Sequence, residues 1–114
     1  MTSPITTHVL DTARGAAAVG VGVALDRETA PGTWTRVGEG TTDSDGRART
    51  LLSEGALVEG AYRLVFDAGA YFQALGVEAF WREVTIEFLV RDARAHHHVP
   101  LLVSPFGYST YRGS

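Results

Sequence analysis

The chain contains no cysteine, which excludes disulfides, thiolate metal sites and cysteine nucleophiles together and agrees with a reducing compartment. Any nucleophile must come from another residue type. Clustered positive charge is also missing: the formal charge is -3 and the Arg residues are scattered. Nothing therefore resembles the basic stripe that a phosphate backbone requires, and no nucleic-acid partner is expected. No stretch approaches the roughly 20 apolar residues that span a bilayer as a helix, and residues 1–7 lack a basic segment leading into an apolar run. No membrane association is expected, and the expected location is cytoplasmic. The ending Arg112, Gly113, Ser114 is not the Ser-Lys-Leu type of peroxisomal address. Internal repeats, low-complexity tracts and linkers are absent as well.

What remains is an ordinary globular composition. At 114 residues with 45% apolar and 20% charged residues, the chain can bury about two-thirds of its unfolded surface around one core, so residues 1–114 are expected to form a single domain. Val19, Val21, Val23 and Leu25 recur at every second position, the period of a strand with one buried face. The pair Pro31, Gly32 reads as a turn into a strand over about 34–40, and Asp43, Ser44, Asp45, Gly46 reads as another turn. Tyr62, Leu64 and Phe66 alternate with polar or smaller neighbours, as do Val84, Ile86, Phe88 and Val90. Between these two strands Tyr71, Phe72 and Leu75 stand at helical spacing, and Gly76 is placed to end a helix of two turns. A last pair of strands, about 96–103 and 108–112, flanks the tight connection Ser104, Pro105, Phe106, Gly107. With the segment 5–11 this makes seven or eight short strands and one short helix, a pattern that favours an antiparallel sandwich over a parallel α/β fold.

The residues suited to chemistry lie near strand ends. His8 falls in the first strand, and His96, His97 and His98 stand together before Val99 and Pro100. In an extended chain His96 and His98 project from one face and His97 from the other, so at most two of the three can serve one site. Two imidazoles at i and i+2 joined by His8 would make a three-histidine zinc set with an open fourth position. The plainer alternative leaves His97 in solvent and the others as satisfied core or interface residues. Asp43, Ser44, Asp45, Gly46 shares part of a calcium-loop pattern but lacks the further acidic ligands that an EF-hand needs, so it reads as a turn that delivers Arg47. A planar, permanently charged guanidinium there suits a flat carbonyl-rich ligand or a developing oxyanion; the alternative is a solvated surface arginine. The chain ends on an aromatic, strand-like segment, which is consistent with a docked terminus.

Three separated motifs carry a family resemblance. Thr7, His8, Val9, Leu10, Asp11, Thr12 followed by Gly15 form the first, and Asp45, Gly46, Arg47 the second. The third spans 96–114, opening with His96, His97, His98, Val99, Pro100 and closing on Tyr111, Arg112, Gly113, Ser114. In this order, over essentially the whole length, the sequence resembles the 5-hydroxyisourate hydrolases, with the Tyr-Arg-Gly-Ser ending its most specific part. Ala17 stands where the family usually has proline, and His97 where it usually has tyrosine. The resemblance implies an all-β, transthyretin-like antiparallel β-sandwich and a hydrolase that opens 5-hydroxyisourate to 2-oxo-4-hydroxy-4-carboxy-5-ureidoimidazoline in urate degradation. It further implies catalytic roles for His8, Arg47 and His98, substrate binding by Tyr111, Arg112, Gly113 and Ser114, no metal or other cofactor, and a homotetramer with sites at a subunit interface. Which histidine is the base stays open. Ser114 lacks the setting of a covalent nucleophile, since no Ser-His-Asp set or Gly-x-Ser-x-Gly turn accompanies it, and a positioning role is expected. The rival implied by the same fold is a carrier of the vertebrate transthyretin kind, which lacks this set of residues.

Overall fold

The computed structural model describes residues 3–114. In chain order the elements are β1 (Ile5–Asp11), β2 (Ala16–Ala17), β3 (Gly22–Ala30), β4 (Thr33–Thr41), β5 (Arg47–Ala48), β6 (Gly60–Phe66), α1 (Ala68–Ala74), β7 (Val84–Val90), β8 (His97–His98), β9 (Leu101–Ser104) and β10 (Gly107–Thr110). Three of the strands, β2, β5 and β8, are only two residues long; the seven longer ones make up the expected sandwich. One sheet runs β4-β3-β6-β7 and is antiparallel throughout. The other runs β10-β9-β1-β2, with β5 and β8 also paired to β1. Here β1 runs parallel to β8 and β9, so this sheet is mixed rather than antiparallel as expected. The chain joins the parallel strands through the entire second sheet, a connection too long for local sequence patterns to register.

Alternation determines the core. Ile5, Thr7 and Val9 of β1 are wholly buried, as are Leu25, Leu64, Phe66 and Leu101, and the inner faces of both sheets interdigitate around them. Strand β3 starts at Gly22, and Val19, expected on its buried face, is half exposed because it sits in a turn at residues 19–20 before the strand. Helix α1 is a two-turn helix capped by Asp67, whose side chain accepts from the Ala70 amide at 3.2 Å, and Gly76 follows its end at φ +70°. Tyr71 and Phe72 face the core, whereas Leu75, expected beside them, is the C-cap and lies outside. The Tyr71 hydroxyl donates to Asp11 Oδ2 at 2.8 Å, and Asp11 Oδ1 accepts from the amides of Ala13 and Arg14. The end of β1 is thereby tied to the helix. The expected strand over 96–103 is interrupted at Val99 and Pro100; proline has no amide proton for the ladder, so pairing resumes only at Leu101.

Candidate active site

Strand β1 is the axis of the site. Its inward residues fill the core, so Thr6 and His8, two positions apart, must share the outer face. On one edge of β1, His8 stands directly opposite Arg47 of β5. On the other edge Thr6 stands opposite His98 of β8. Directly paired residues project to the same side of a sheet, so this register brings His8, Arg47, Thr6 and His98 onto one surface.

The turn before β5 delivers Arg47 as the sequence suggests. Asp43 Oδ1 accepts from the amides of Asp45 (2.8 Å) and Arg47 (3.0 Å), and the Gly46 amide donates to the Asp43 carbonyl at 2.9 Å. The amide bond from Arg47, with that from Asp45 and the nearby Arg49 and Arg47 charges, outweighs partial desolvation and holds the Asp43 carboxyl below its usual range. Gly46 has φ +78°, and a Cβ there would lie 2.5 Å from the Val9 carbonyl oxygen. Only glycine lets the turn press against β1, where the Val9 amide bonds to the Gly46 carbonyl at 2.7 Å. His8 donates its Nε2 proton to the Asp45 carbonyl at 2.9 Å. A carbonyl only accepts, so neutral His8 keeps its lone pair on Nδ1.

The histidine run divides as alternation requires. His97 is buried rather than in solvent, with Nδ1 donating to the Ala95 carbonyl at 2.9 Å; burial, chiefly, lowers its pKa. His96 Nε2 and His98 Nδ1 both meet the Thr6 hydroxyl, at 2.9 and 2.8 Å, and their rings lie 6.5 Å apart at 22°. The His98 pKa is lowered from the ordinary histidine value by burial first, then by the charges of Arg47, His96 and His8. His98 is therefore a neutral imidazole near pH 7, with Nε2 unclaimed by Thr6. His8 does not join His96 and His98 in the three-histidine set considered above: its Nε2 is engaged by Asp45, and Thr6 occupies the bonding positions between the other two. Among the described residues no three His, Cys, Asp or Glu side chains converge on one metal position.

The C-terminus is docked on this surface. The Gly113 amide donates to the His98 carbonyl at 2.8 Å, forming a one-residue bridge. A Cβ on Gly113 would come within 2.6 Å of the His98 ring, so the glycine lets the terminus lie flat against the imidazole. Ser114 then closes a cleft of about 250 Å³ lined also by Thr6, Thr7, Arg47, Arg49, His96 and His98. Tyr111 and Arg112 line a different hollow, of about 240 Å³, with Phe88, Leu89 and His97. A larger hollow of about 450 Å³ on the β3-β4-β6 surface is lined by Arg36, Glu39, Asp67 and Glu83 but by no histidine. The structure thus gathers Arg47, His98 and Ser114 in one cleft, with His8 beside Arg47 on the same face and Gly113 against the His98 ring. Thr6 and Arg49 were not foreseen in the cleft, and His96 only as a possible ligand. The i, i+2 alternation that pairs His96 with His98 also pairs Thr6 with His8, and it was the available signal for Thr6.

A two-sheet sandwich that carries imidazoles and a guanidinium around a small polar cleft is an all-β frame for a compact, hydrogen-bonding ligand. The chain belongs to the HIUase/Transthyretin family, whose profile matches residues 5–113. It is 49% identical to the 5-hydroxyisourate hydrolase of Caulobacter vibrioides over 117 residues, covering 98% of this chain and 99% of that one. Among solved structures it is similar to the 5-hydroxyisourate hydrolase of Klebsiella pneumoniae, with a TM-score of 0.83, 36% identity, and coverage of 96% and 98% of the two chains. Sea bream transthyretin in complex with thyroxine superposes with a TM-score of 0.91 at 32% identity, covering 96% of this chain and 94% of that one. The backbone fits hydrolase and transthyretin alike, so the fold does not choose between them and the site must.

Proposed function

We propose that this protein hydrolyses 5-hydroxyisourate to 2-oxo-4-hydroxy-4-carboxy-5-ureidoimidazoline, with no cofactor. The carrying observation is the juxtaposition of a partly buried His98 with Arg47 in one cleft that Ser114 also lines. A carrier of apolar rings has no use for a base and a guanidinium in so small and polar a site. Water attacks a ring carbonyl, giving its proton to an imidazole while the carbonyl oxygen becomes an oxyanion. His98 is the base, since burial and Arg47 keep it unprotonated at working pH. Arg47 supplies fixed donors and charge to the oxyanion. Collapse breaks the ring C–N bond, and the leaving nitrogen takes the proton back from the imidazolium. His8, its Nε2 committed to Asp45, offers Nδ1 to the substrate from the Arg47 side. Ser114 positions the ring, as do Gly113, Arg112 and Tyr111 of the ending, the last two through a neighbouring subunit in a homotetramer. A cytoplasmic setting suits a chain without cysteine; among the described residues no helix is long and apolar enough to cross a membrane.

The test generates 5-hydroxyisourate in situ from urate with urate oxidase and follows its ultraviolet absorbance in the presence of EDTA. Wild type should accelerate the decay, and His98→Asn should lose roughly 10²- to 10⁴-fold, the range for removal of a general base. Ser114→Ala should lose less than His98→Asn. A folded wild-type protein that leaves the decay unchanged would overturn the hydrolase reading and favour a carrier.

A further inference from the structure

Thr6 is buried on the outer face of β1, and its single hydroxyl stands between two imidazole nitrogens, His96 Nε2 at 2.9 Å and His98 Nδ1 at 2.8 Å. A hydroxyl has one proton to donate. When both rings are neutral, it can donate to only one of them and must accept an N–H from the other. The two tautomers are therefore coupled. Either His96 donates and His98 carries its proton on Nε2, or His98 donates from Nδ1 and keeps the lone pair on Nε2. Arg47 shares the cleft with His98 and consists only of donors. The Arg47 charge acts on His98, and a nearby fixed cation favours a ring lone pair over an N–H on the nitrogen open to the cleft.

We propose that Thr6 is a positioning residue that holds His98 in the Nδ1–H tautomer and links it to His96 as a second imidazole sharing the transferred proton. The inference rests on the hydrolase reading and adds two residues to it. When Nε2 of His98 takes the proton of the attacking water, the Nδ1 proton passes to Thr6 Oγ1, and the original hydroxyl proton passes to His96 Nε2. His98 is again neutral, now with its proton on Nε2, and the positive charge lies on His96. His96 lines the same cleft but is solvent-exposed, whereas His98 is only partly so, so the charge moves to the ring that water can solvate better. As the leaving nitrogen takes the Nε2 proton, the same two protons shift back and both rings return to their starting tautomers. His8, Arg47 and His96 are the charged or titratable groups whose fields act on His98, with Arg49 and Ser114 also lining the cleft.

The experiment records the imidazole ¹⁵N shifts of wild type, Thr6→Val and Thr6→Ser, with the His98 signals identified by their loss in His98→Asn, and measures kcat and KM for the same proteins. Valine keeps the shape of threonine and removes the hydroxyl; serine keeps the hydroxyl. Wild type and Thr6→Ser should show neutral His98 protonated on Nδ1, and Thr6→Val should lose that preference. In Thr6→Val kcat should fall on the order of tenfold with KM nearly unchanged, less than the roughly 10²-fold or greater loss on removing the base itself. Adding His96→Gln to Thr6→Val should cost little more, because the link is already cut. An Nε2–H tautomer in wild type, an unaltered tautomer and kcat in Thr6→Val, or a Thr6→Ser protein as impaired as Thr6→Val would overturn the proposal. A wild type with no effect on 5-hydroxyisourate but with a hydroxyl-dependent Nδ1–H tautomer would sink the hydrolase reading and leave the positioning of His98 standing.

Discussion

His98 illustrates how much one side chain takes from its neighbours. Burial, then the charges of Arg47, His96 and His8, lower its pKa, so the reactive neutral form survives at pH values where a free histidine, with a pKa of about 6.5, is largely protonated. The sign follows directly. Activity is lost as pH falls through the folded-state pKa, and the acid limb of kcat/KM should lie below about pH 6.5. Arg47→Gln removes the largest charge contribution but not the burial. Its residual activity, lower by about 10²- to 10³-fold, should show an acid limb moved upward toward the ordinary value. A pH–rate profile of the two proteins checks this, and a limb that stays put or moves down in Arg47→Gln would count against Arg47 as a neighbour of the base.

Elements meet through the same register logic. Asp26 of β3 stands opposite Arg36 of β4 on one side and Arg63 of β6 on the other. Its two carboxylate oxygens accept from the Nε groups of both arginines, each at 2.9 Å, and the Arg63 guanidinium lies 4.5 Å over the Trp34 ring. Burial opposes ionisation of Asp26, but the two arginine bonds outweigh it and lower the pKa. One almost fully buried carboxylate thus clamps three strands. Asp26→Asn should destabilise the protein by roughly 1–3 kcal/mol, the range for a buried charge-assisted bond left unmade. Urea unfolding at a fixed protein concentration measures it; a loss under about 0.5 kcal/mol, typical of a surface substitution, would show that the clamp contributes little.

At the scale of the molecule, the sandwich leaves open edges. β7 ends one sheet and β10 the other, and an unpaired edge with apolar side chains invites association. Leu89 of β7 is 54% exposed, Phe106 67% and Tyr111 58%, and the hollow beside β7 is lined by Ile86, Phe88, Leu89, Val99, Tyr111 and Arg112. An exposed apolar surface of this kind suits the subunit contact that the proposed tetramer requires. The proposed tetramer should sediment at four times the 12.2 kDa chain mass. Leu89→Arg should yield smaller species of unchanged far-ultraviolet circular dichroism, with activity falling if neighbouring subunits complete the site. Wild-type sedimentation as a monomer would remove the tetramer from the account.

Period-two alternation and turn residues determined most of the secondary structure, because side chains on a strand report burial locally: β1, β4, β6, β7 and the turn before Arg47 were all legible. Three motifs named the family and its candidate residues. What alternation could not supply was partnership across the chain. Nothing local says that β1 runs parallel to β8, or that Val19 and Leu75 lie outside the core, because those outcomes depend on long-range pairing and on where an element ends. His97 shows the limit most simply. Sequence placed it opposite His96 and His98, and only the second sheet behind it made that face interior rather than solvent. In the same way the residue types at 6, 8, 47, 96 and 98 were fixed by sequence, but their meeting was decided by the register of β1 with strands roughly 40 and 90 positions away, and that register is what turned a threonine into the link between two histidines.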